Sequence, residues 1–401
     1  MTESRNRPAD RGPWRLDPEL VFLNHGSFGS CPEPVLSAQR RLRDELERSP
    51  VRFLGREIMD RLDDVRARLA PFVGTRPADL VFVSNATSAV NAVLRSLALA
   101  PGDEILVTDH GYNACSNAAS FVAERAGAKV TVARVPFPLE DPAEVTAAIL
   151  SAVTERTRLA LIDHVTSPTG LVFPLAEIVQ ALKERGVETL VDGAHAVGML
   201  PLDLDALGAA YYTSNAHKWL CAPKGAAFLH VREELQPQVR PAVISHGANA
   251  DLPGRSRYQV EFDWCGTDDP TAWLAIPAAM DFLEGLFPGG WATLREHNRE
   301  LVLGGRALLC EALGCSAPAP EEMIGSLATV PLPSASEPAE ERSPFDPDPL
   351  GLALFEEDRI EVPLPPWPTL DDRNVRISAQ VYNSADEYRA LADALARRLA
   401  L

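Results

Sequence analysis

From about residue 72 to residue 232, short β-rich runs alternate with amphipathic ones. "DLVFVSN" (79–85) has the continuous apolar character of a buried strand, and "ATSAVNAVLRSLAL" (86–99) reads as the helix after it. Val90, Val93, Leu94 and Leu97 fall on one face of that helix. Gly102-Asp103 turns the chain into the strand "EILVTD" (104–109), and a helix near 113–126 leads to "KVTVARV" (129–135). A helix around 142–152 precedes "RLALIDHV" (158–165), and one at 175–185 precedes "VETLVDGAHA" (187–196). This alternation predicts an α/β fold: an open, mostly parallel sheet with helices on both faces. Ligands bind such sheets where strands end and loops begin.

After about residue 270 the pattern changes. "TAWLAIPAAMDFLEGL" (271–286) and a stretch near 291–313 read as helices, and "PLPSASEPAEERSPFDPDPL" (331–350) as a Pro-rich acidic surface loop. A short helix (350–357), a strand around 359–363, the strand "NVRISAQV" (374–381) and a helix at 384–400 follow. The expected division is a large domain over 23–270 and a smaller α+β domain over 271–401. Residues 1–22 form an N-terminal segment packing with the small domain. No internal repeat is visible.

With 401 residues, 46% of them hydrophobic, the chain can bury a full core. The net charge of −18, from 56 acidic and 38 basic residues, argues against nucleic acid or an anionic membrane as partner. The polar, Arg- and Pro-rich start has no apolar signal region, and no apolar run approaches the ~18 residues needed to span a bilayer. Six scattered cysteines without a CxxC pair suggest neither a disulfide framework nor a zinc site, so a reduced cytoplasmic protein is expected. The eight histidines include no HxxxH or HxH, and no metal is expected.

The chain has only four lysines, which limits any amine chemistry. Lys129 and Lys183 look solvated, and Lys224, in Pro223-Lys224-Gly225, reads as a turn residue. Lys218 follows Asp192 by 26 positions, in "TSNAHKWLCAPKG". A pyridoxal-phosphate enzyme needs a carboxylate beside the pyridine nitrogen and a lysine on the aldehyde carbon. A carboxylate at a strand end and a lysine a loop or two later suit one flat ring, although singly they read as a capping Asp and a surface Lys. A phosphate wants a helix N-terminus and hydroxyls. Asn85-Ala86-Thr87-Ser88 supplies both, with Ser214 and His217 as further donors, and is alternatively an ordinary cap. Tyr112, or His110 beside it, is placed to stack on a ring. Arg376 is the candidate clamp for a substrate carboxylate.

These stretches resemble the class V aminotransferase family of fold-type I pyridoxal-phosphate enzymes, and within it isopenicillin N epimerase-like proteins. The shared segments are "LNHGSFGSCP" (23–32), "NATSAVN" (85–91), "TDHGYNA" (108–114), "DHVTSPTGLVFP" (163–174), "DGAHAVGMLPLDL" (192–204), "YYTSNAHKWLCAPKG" (211–225), "GTDDPTAW" (266–273) and "RISAQVYN" (376–383). The resemblance implies a large domain with a mostly parallel seven-stranded sheet and a Schiff base between pyridoxal 5'-phosphate and Lys218. It implies Asp192 as the pyridinium partner, with His195 and Ser167 (or Thr166) near the phenolic oxygen. Ala86, Thr87, Ser88, Ser214 and His217 would hold the phosphate, and Tyr112 would stack. Asn24 and His25 would line the substrate entrance, with Arg376 on the substrate carboxylate. Gly266-Thr267 would reach the phosphate of a second subunit, giving a homodimer with shared sites. The position of Ser214 is often Gly in such relatives. No cysteine follows Cys315, so the nucleophile of a desulfurase is missing.

The expected activity is chemistry at the Cα of an amino acid: epimerisation or racemisation, with C–S lysis as the alternative and transamination behind both. An epimerase needs a second acid, for which Tyr112, His110 or His25 would serve; a lyase needs none. A pyridoxal-phosphate-binding regulatory protein is the non-enzyme alternative, and a substrate clamp would be superfluous in it.

Overall fold

The computed structural model describes residues 11–334 and 348–400. Seven strands form the main sheet: β2 (Leu80–Val83), β3 (Glu104–Thr108), β4 (Lys129–Ala133), β5 (Thr157–Asp163), β6 (Glu188–Asp192), β7 (Tyr211–Ser214) and β8 (Ala227–Val231). β1 is the short Val21–Phe22. The sheet order is β2-β8-β7-β6-β5-β3-β4, and only β8 runs antiparallel to its neighbours. The mostly parallel seven-stranded sheet is the one expected.

Side chains of successive strand residues point to opposite faces, and the two cores follow from that alternation. Phe82, Leu106, Ile162, Val191, Tyr212 and Phe228 enter one core, with the helices Ile58–Val73 and Leu175–Glu184. Their neighbours Val81, Ile105, Leu161, Leu190, Tyr211 and Leu229 enter the other, under Ala86–Ser96 and Asn113–Ala126. Both faces are covered, which is why these strands read as unbroken apolar runs.

The helices Glu33–Arg48 and Ile58–Val73 were not foreseen from the pattern. They receive Ala272, Ile276, Ala279 and Met280, so the apolar face of 271–284 packs into the core beneath the main sheet. Beyond them β9 (Leu327–Leu332), also unforeseen, pairs antiparallel with β11 (Arg373–Ser378). The helices Gly290–Leu313 and Ala385–Leu399 cover this pair. β1 pairs in parallel with β10 (Ile360–Glu361), and Arg11 reaches Glu387 at 3.1 Å, so the N-terminal segment joins this smaller layer. The expected acidic loop at 331–350 lies partly outside the described residues. Among the described residues, no helix is long and apolar enough to cross a membrane.

Candidate active site

The strands β2, β3, β5, β6 and β7 all end at one edge of the sheet, and the segments that follow them enclose a cavity of about 510 Å³. Asn85 caps the helix Ala86–Ser96, its side chain accepting from the Ser88 N–H at 2.8 Å. That places Thr87 and Ser88 at the positive end of a helix, lining the cavity. Tyr112 stands before the helix Asn113–Ala126, half exposed. Asp163 ends β5 and Asp192 ends β6, and they are register partners. Lys218 follows β7 in a tight loop whose backbone is pinned by His217 N–H to Ala226 O and Cys221 N–H to Lys218 O.

This loop is backed by Gly29, with a φ of +69°. A Cβ there would come within 2.6 Å of His217 O and 3.1 Å of the Lys218 Cα. Lys224, the rival lysine, donates to Gly29 O at 2.6 Å and acts as a tie between the two segments.

The titratable groups are perturbed chiefly by burial. Desolvation, with Arg376 nearby, lowers the Lys218 amine to about 7, and among the described residues it has no carboxylate within ion-pair distance. Its Nζ lies 3.1 Å from His195 Nε2. Burial holds His195 well below its ordinary value. Asp192 accepts from the Ala194 N–H at 3.0 Å and from the Cys115 thiol at 3.1 Å. Burial, and then the Asp192 charge, push Asp163 well up.

Arg376, on β11, touches Ser167 and Ser27, both of which line the cavity. Among the described residues its Nε has no partner and no carboxylate lies beside it, and burial lowers it to about 10.

Of the expected site residues, Ala86, Thr87, Ser88, Tyr112, Ser167, Asp192, His195, His217 and Lys218 line the cavity. Four do not. Ser214 is fully buried, its hydroxyl spent on Gly193 O and the Val197 N–H, so it cannot also serve the phosphate. His25 is no part of an entrance: it is sealed in, with Nδ1 2.8 Å from the Tyr382 hydroxyl and Nε2 3.1 Å from Lys218 O. Asn24 is bonded to Glu361 and Ser27. Thr267 and Gly266 line a second cavity of about 320 Å³, which shares Ser88 with the first. His110, the alternative stacking group, is also buried, held by Thr169 and Val135 O.

Sequence reading missed Ser27, Asp163, Asn215 and Trp219. Asp163 had a signal, since it ends a strand beside Asp192; the others are placed by folding alone. Away from this cavity, Asp79, Asp205 and His230 come together with spacing a metal ion would accept. The Asp79 carboxylate there is already taken by Arg76 and Gln236.

The donor set fits pyridoxal phosphate. It offers a buried lysine without a counter-ion, a carboxylate at a strand end, and hydroxyls on a helix N-terminus. His217 donates Nδ1–H to Ala226 O and burial lowers it to about 4, so its Nε2 carries a lone pair and would donate to a phosphate only as the imidazolium. Arg376, unpaired, suits a carboxylate.

Residues 31–339 match the family model for aminotransferase class V. The isopenicillin N epimerase of Streptomyces clavuligerus is 36% identical over 404 residues, 96% of each chain. A probable chloroplastic L-cysteine desulfhydrase of Arabidopsis thaliana is 33% identical over 402 residues, 94% of this chain and 83% of that one. Among solved structures, the cystine C–S lyase C-DES in complex with cysteine persulfide superposes with a TM-score of 0.75 at 23% identity, over 94% and 97% of the chains.

Proposed function

The chain belongs to the class V aminotransferase family and is a pyridoxal-phosphate enzyme; from that premise we propose that Lys218 removes the Cα proton of an amino acid and that a sulfur leaving group then departs from Cβ. The observation that carries the amino-acid part is Arg376, a buried guanidinium with an unpartnered Nε and no protein carboxylate beside it. A buried cation of this kind is stabilised by an anion of matching fork geometry, which an amino-acid carboxylate has. Ser27 and Ser167 hold its two terminal nitrogens and orient the fork.

When bound, the cofactor supplies the electron sink for the pair left at Cα. Asp192 would face the pyridine nitrogen, Tyr112 one side of the ring, and Thr87, Ser88 and His217 the phosphate. Lys218 would hold the aldehyde carbon until substrate arrives. With its amine lowered to about 7, a large fraction is unprotonated at neutral pH and able to take a proton from Cα. Elimination asks for no second acid on the opposite face of Cα.

Elimination needs no group beyond Lys218, whereas epimerisation needs that second acid. His25 and His110 are buried with both ring nitrogens engaged, and neither lines the cavity. Tyr112 alone of the three candidates does. It supports the second reading, epimerisation, as does the likeness to isopenicillin N epimerase. A homodimer with shared sites belongs to the same proposal. It is supported by Ser88 lining both cavities and by the exposed Val243, which lines the second one with Thr267.

The test is proton NMR of the holoenzyme in D₂O with L-amino acids, cysteine conjugates and their sulfoxides. Pyruvate, ammonia and a released sulfur product are expected. Deuterium at Cα with an accumulating D-isomer and no cleavage would replace elimination by epimerisation. No exchange with any amino acid would overturn Cα chemistry altogether.

A further inference from the structure

The ring of His195 lies between two groups of unequal character. Its Nε2 is 3.1 Å from Lys218 Nζ, and its Nδ1 is 3.2 Å from Trp219 Nε1. An indole N–H can only donate, and a neutral imidazole carries one donor and one acceptor nitrogen. Nδ1 must therefore accept from Trp219, which leaves the ring proton on Nε2. A second ring proton would set N–H against N–H at Nδ1, in a site where Trp219 and His195 are both almost fully buried.

We propose that Trp219 is a positioning residue that locks His195 as the neutral Nε2–H tautomer, a permanent hydrogen-bond donor beside Lys218 Nζ and never a proton acceptor. The surrounding charges act in the same direction. Lys218 and Arg376 are the cations that face His195, His25 is the nearest other imidazole, and each opposes a second proton on the ring. The Nε2–H donor faces the lone pair of an unprotonated Lys218 amine and so favours the neutral form that chemistry requires. When Nζ is engaged, the same donor serves an acceptor oxygen beside it.

The consequence is a division of labour. His195 cannot take the Cα proton, because Nε2 already carries one and the indole covers Nδ1. Proton transfer within this wall of the cavity falls to Lys218 alone. The inference rests on the reading of Lys218 as the reacting amine.

The experiment uses [¹⁵N]histidine-labelled enzyme, with and without cofactor, and two-bond ¹H–¹⁵N correlation. The His195 signals are identified by their loss in His195→Gln. Expected are a pyridine-type shift at Nδ1 and a pyrrole-type shift at Nε2, unchanged between about pH 6 and 9. The reversed tautomer, or an imidazolium appearing in that range, overturns the proposal with the wild-type protein alone. Trp219→Phe keeps an aromatic ring, though a smaller one, and removes the donor. It should let both tautomers appear and move the pH midpoint of the bound cofactor's visible absorbance by about one unit. An unmoved midpoint with the tautomer still fixed would give the role to something other than Trp219. Lys218→Ala, run in parallel, separates the two readings. Colour persisting there would remove Lys218 as the reacting amine, while the tautomer would still be readable in the wild type.

Discussion

Replacing Arg376 by Gln removes a guanidinium that the fold buries without an anion of its own. In the free protein it donates to Ser167 and Ser27 and leaves Nε unpartnered, at a position only 5% exposed. Two charge-assisted hydrogen bonds to a substrate carboxylate contribute about 1.5–3 kcal/mol each, so their loss amounts to about 3–5 kcal/mol after partial compensation by the Gln amide. At 1.4 kcal/mol per decade, kcat/KM should fall by about 100- to 4,000-fold, mostly through KM. The unliganded protein should behave differently. Relief of the buried charge offsets the lost serine contacts, and Tm should change by no more than about 4 °C. The assay is steady-state turnover with an L-amino acid substrate and with its decarboxylated amine, beside thermal melts of the same preparations. Wild type should discriminate strongly between acid and amine, and Arg376→Gln hardly at all. Retention of kcat/KM within about threefold, or of the discrimination, would take the substrate carboxylate away from Arg376.

Other outcomes follow from the same geometry. The folded Lys218 amine, at about 7, lies below its ordinary value of 10.5, so the cost of charging it is present below pH 7 and is relieved as pH rises toward 10.5. Apo Lys218→Met should therefore melt above wild type near pH 7, with the gap narrowing by pH 10; a gap that widens would reverse the sign. The same substitution should abolish the yellow colour and turnover of the holoenzyme, read by absorbance and product formation. Tyr112→Phe should leave elimination within about tenfold of wild type, whereas a role as second acid predicts a loss of about 10²–10⁴-fold, so comparing the two rates decides it. Gly29→Ala, at a φ of +69° and a ψ of 158°, faces a backbone penalty of about 1–3 kcal/mol and a Cβ 2.6 Å from His217 O. It should weaken cofactor retention in dialysis as well as Tm, and an unaltered Kd for the cofactor would mean the lysine loop moves freely there.

The large sheet was legible because both its faces are covered, which leaves strands as apolar runs between turn residues. Lys218 and Asp192 were legible because strand ends are where such sheets place their chemistry. The helix Glu33–Arg48 carries a marked amphipathic period that went unread, although only Val35 and Gln39 along it are buried. β9 carries Pro331 and has a strand partner on one side only, so it lacks the usual strand signature. Local pattern says nothing of Arg376 meeting Ser27, 349 residues away, or of His25 closing on Tyr382 behind the lysine loop. His25 sits in a segment that carries the family resemblance, which implied a place at the substrate entrance; the fold instead seals it against Lys218 O and Tyr382.

The pair Asp163–Asp192 shows how the fold sets the charge in the cavity. Adjacent parallel strands bring both carboxyls to the same edge, almost fully buried, and two buried like charges so placed oppose each other. Asp192 has the donors, from Ala194 N–H and the Cys115 thiol. Asp163 is pushed well above its ordinary value by burial and then by Asp192, with the Tyr112 backbone N–H as its main compensation. Asp163, so shifted, fastens the Tyr112 backbone, and Asp192, with its two donors, is the carboxyl placed to face the cofactor nitrogen. Because the folded value is raised, the native state keeps a proton that the unfolded chain releases above about pH 4, and stability is lost as pH rises from there toward the folded value. Asp163→Asn copies the neutral form and removes that loss. Its Tm should gain on wild type as pH rises from about 4 toward the raised folded value, while cofactor binding changes little; Asp192→Asn should instead cost cofactor function. A Tm difference that is flat with pH, or that favours wild type increasingly at high pH, would mean that Asp163 is ionised and that the pair is held by a cation not counted here.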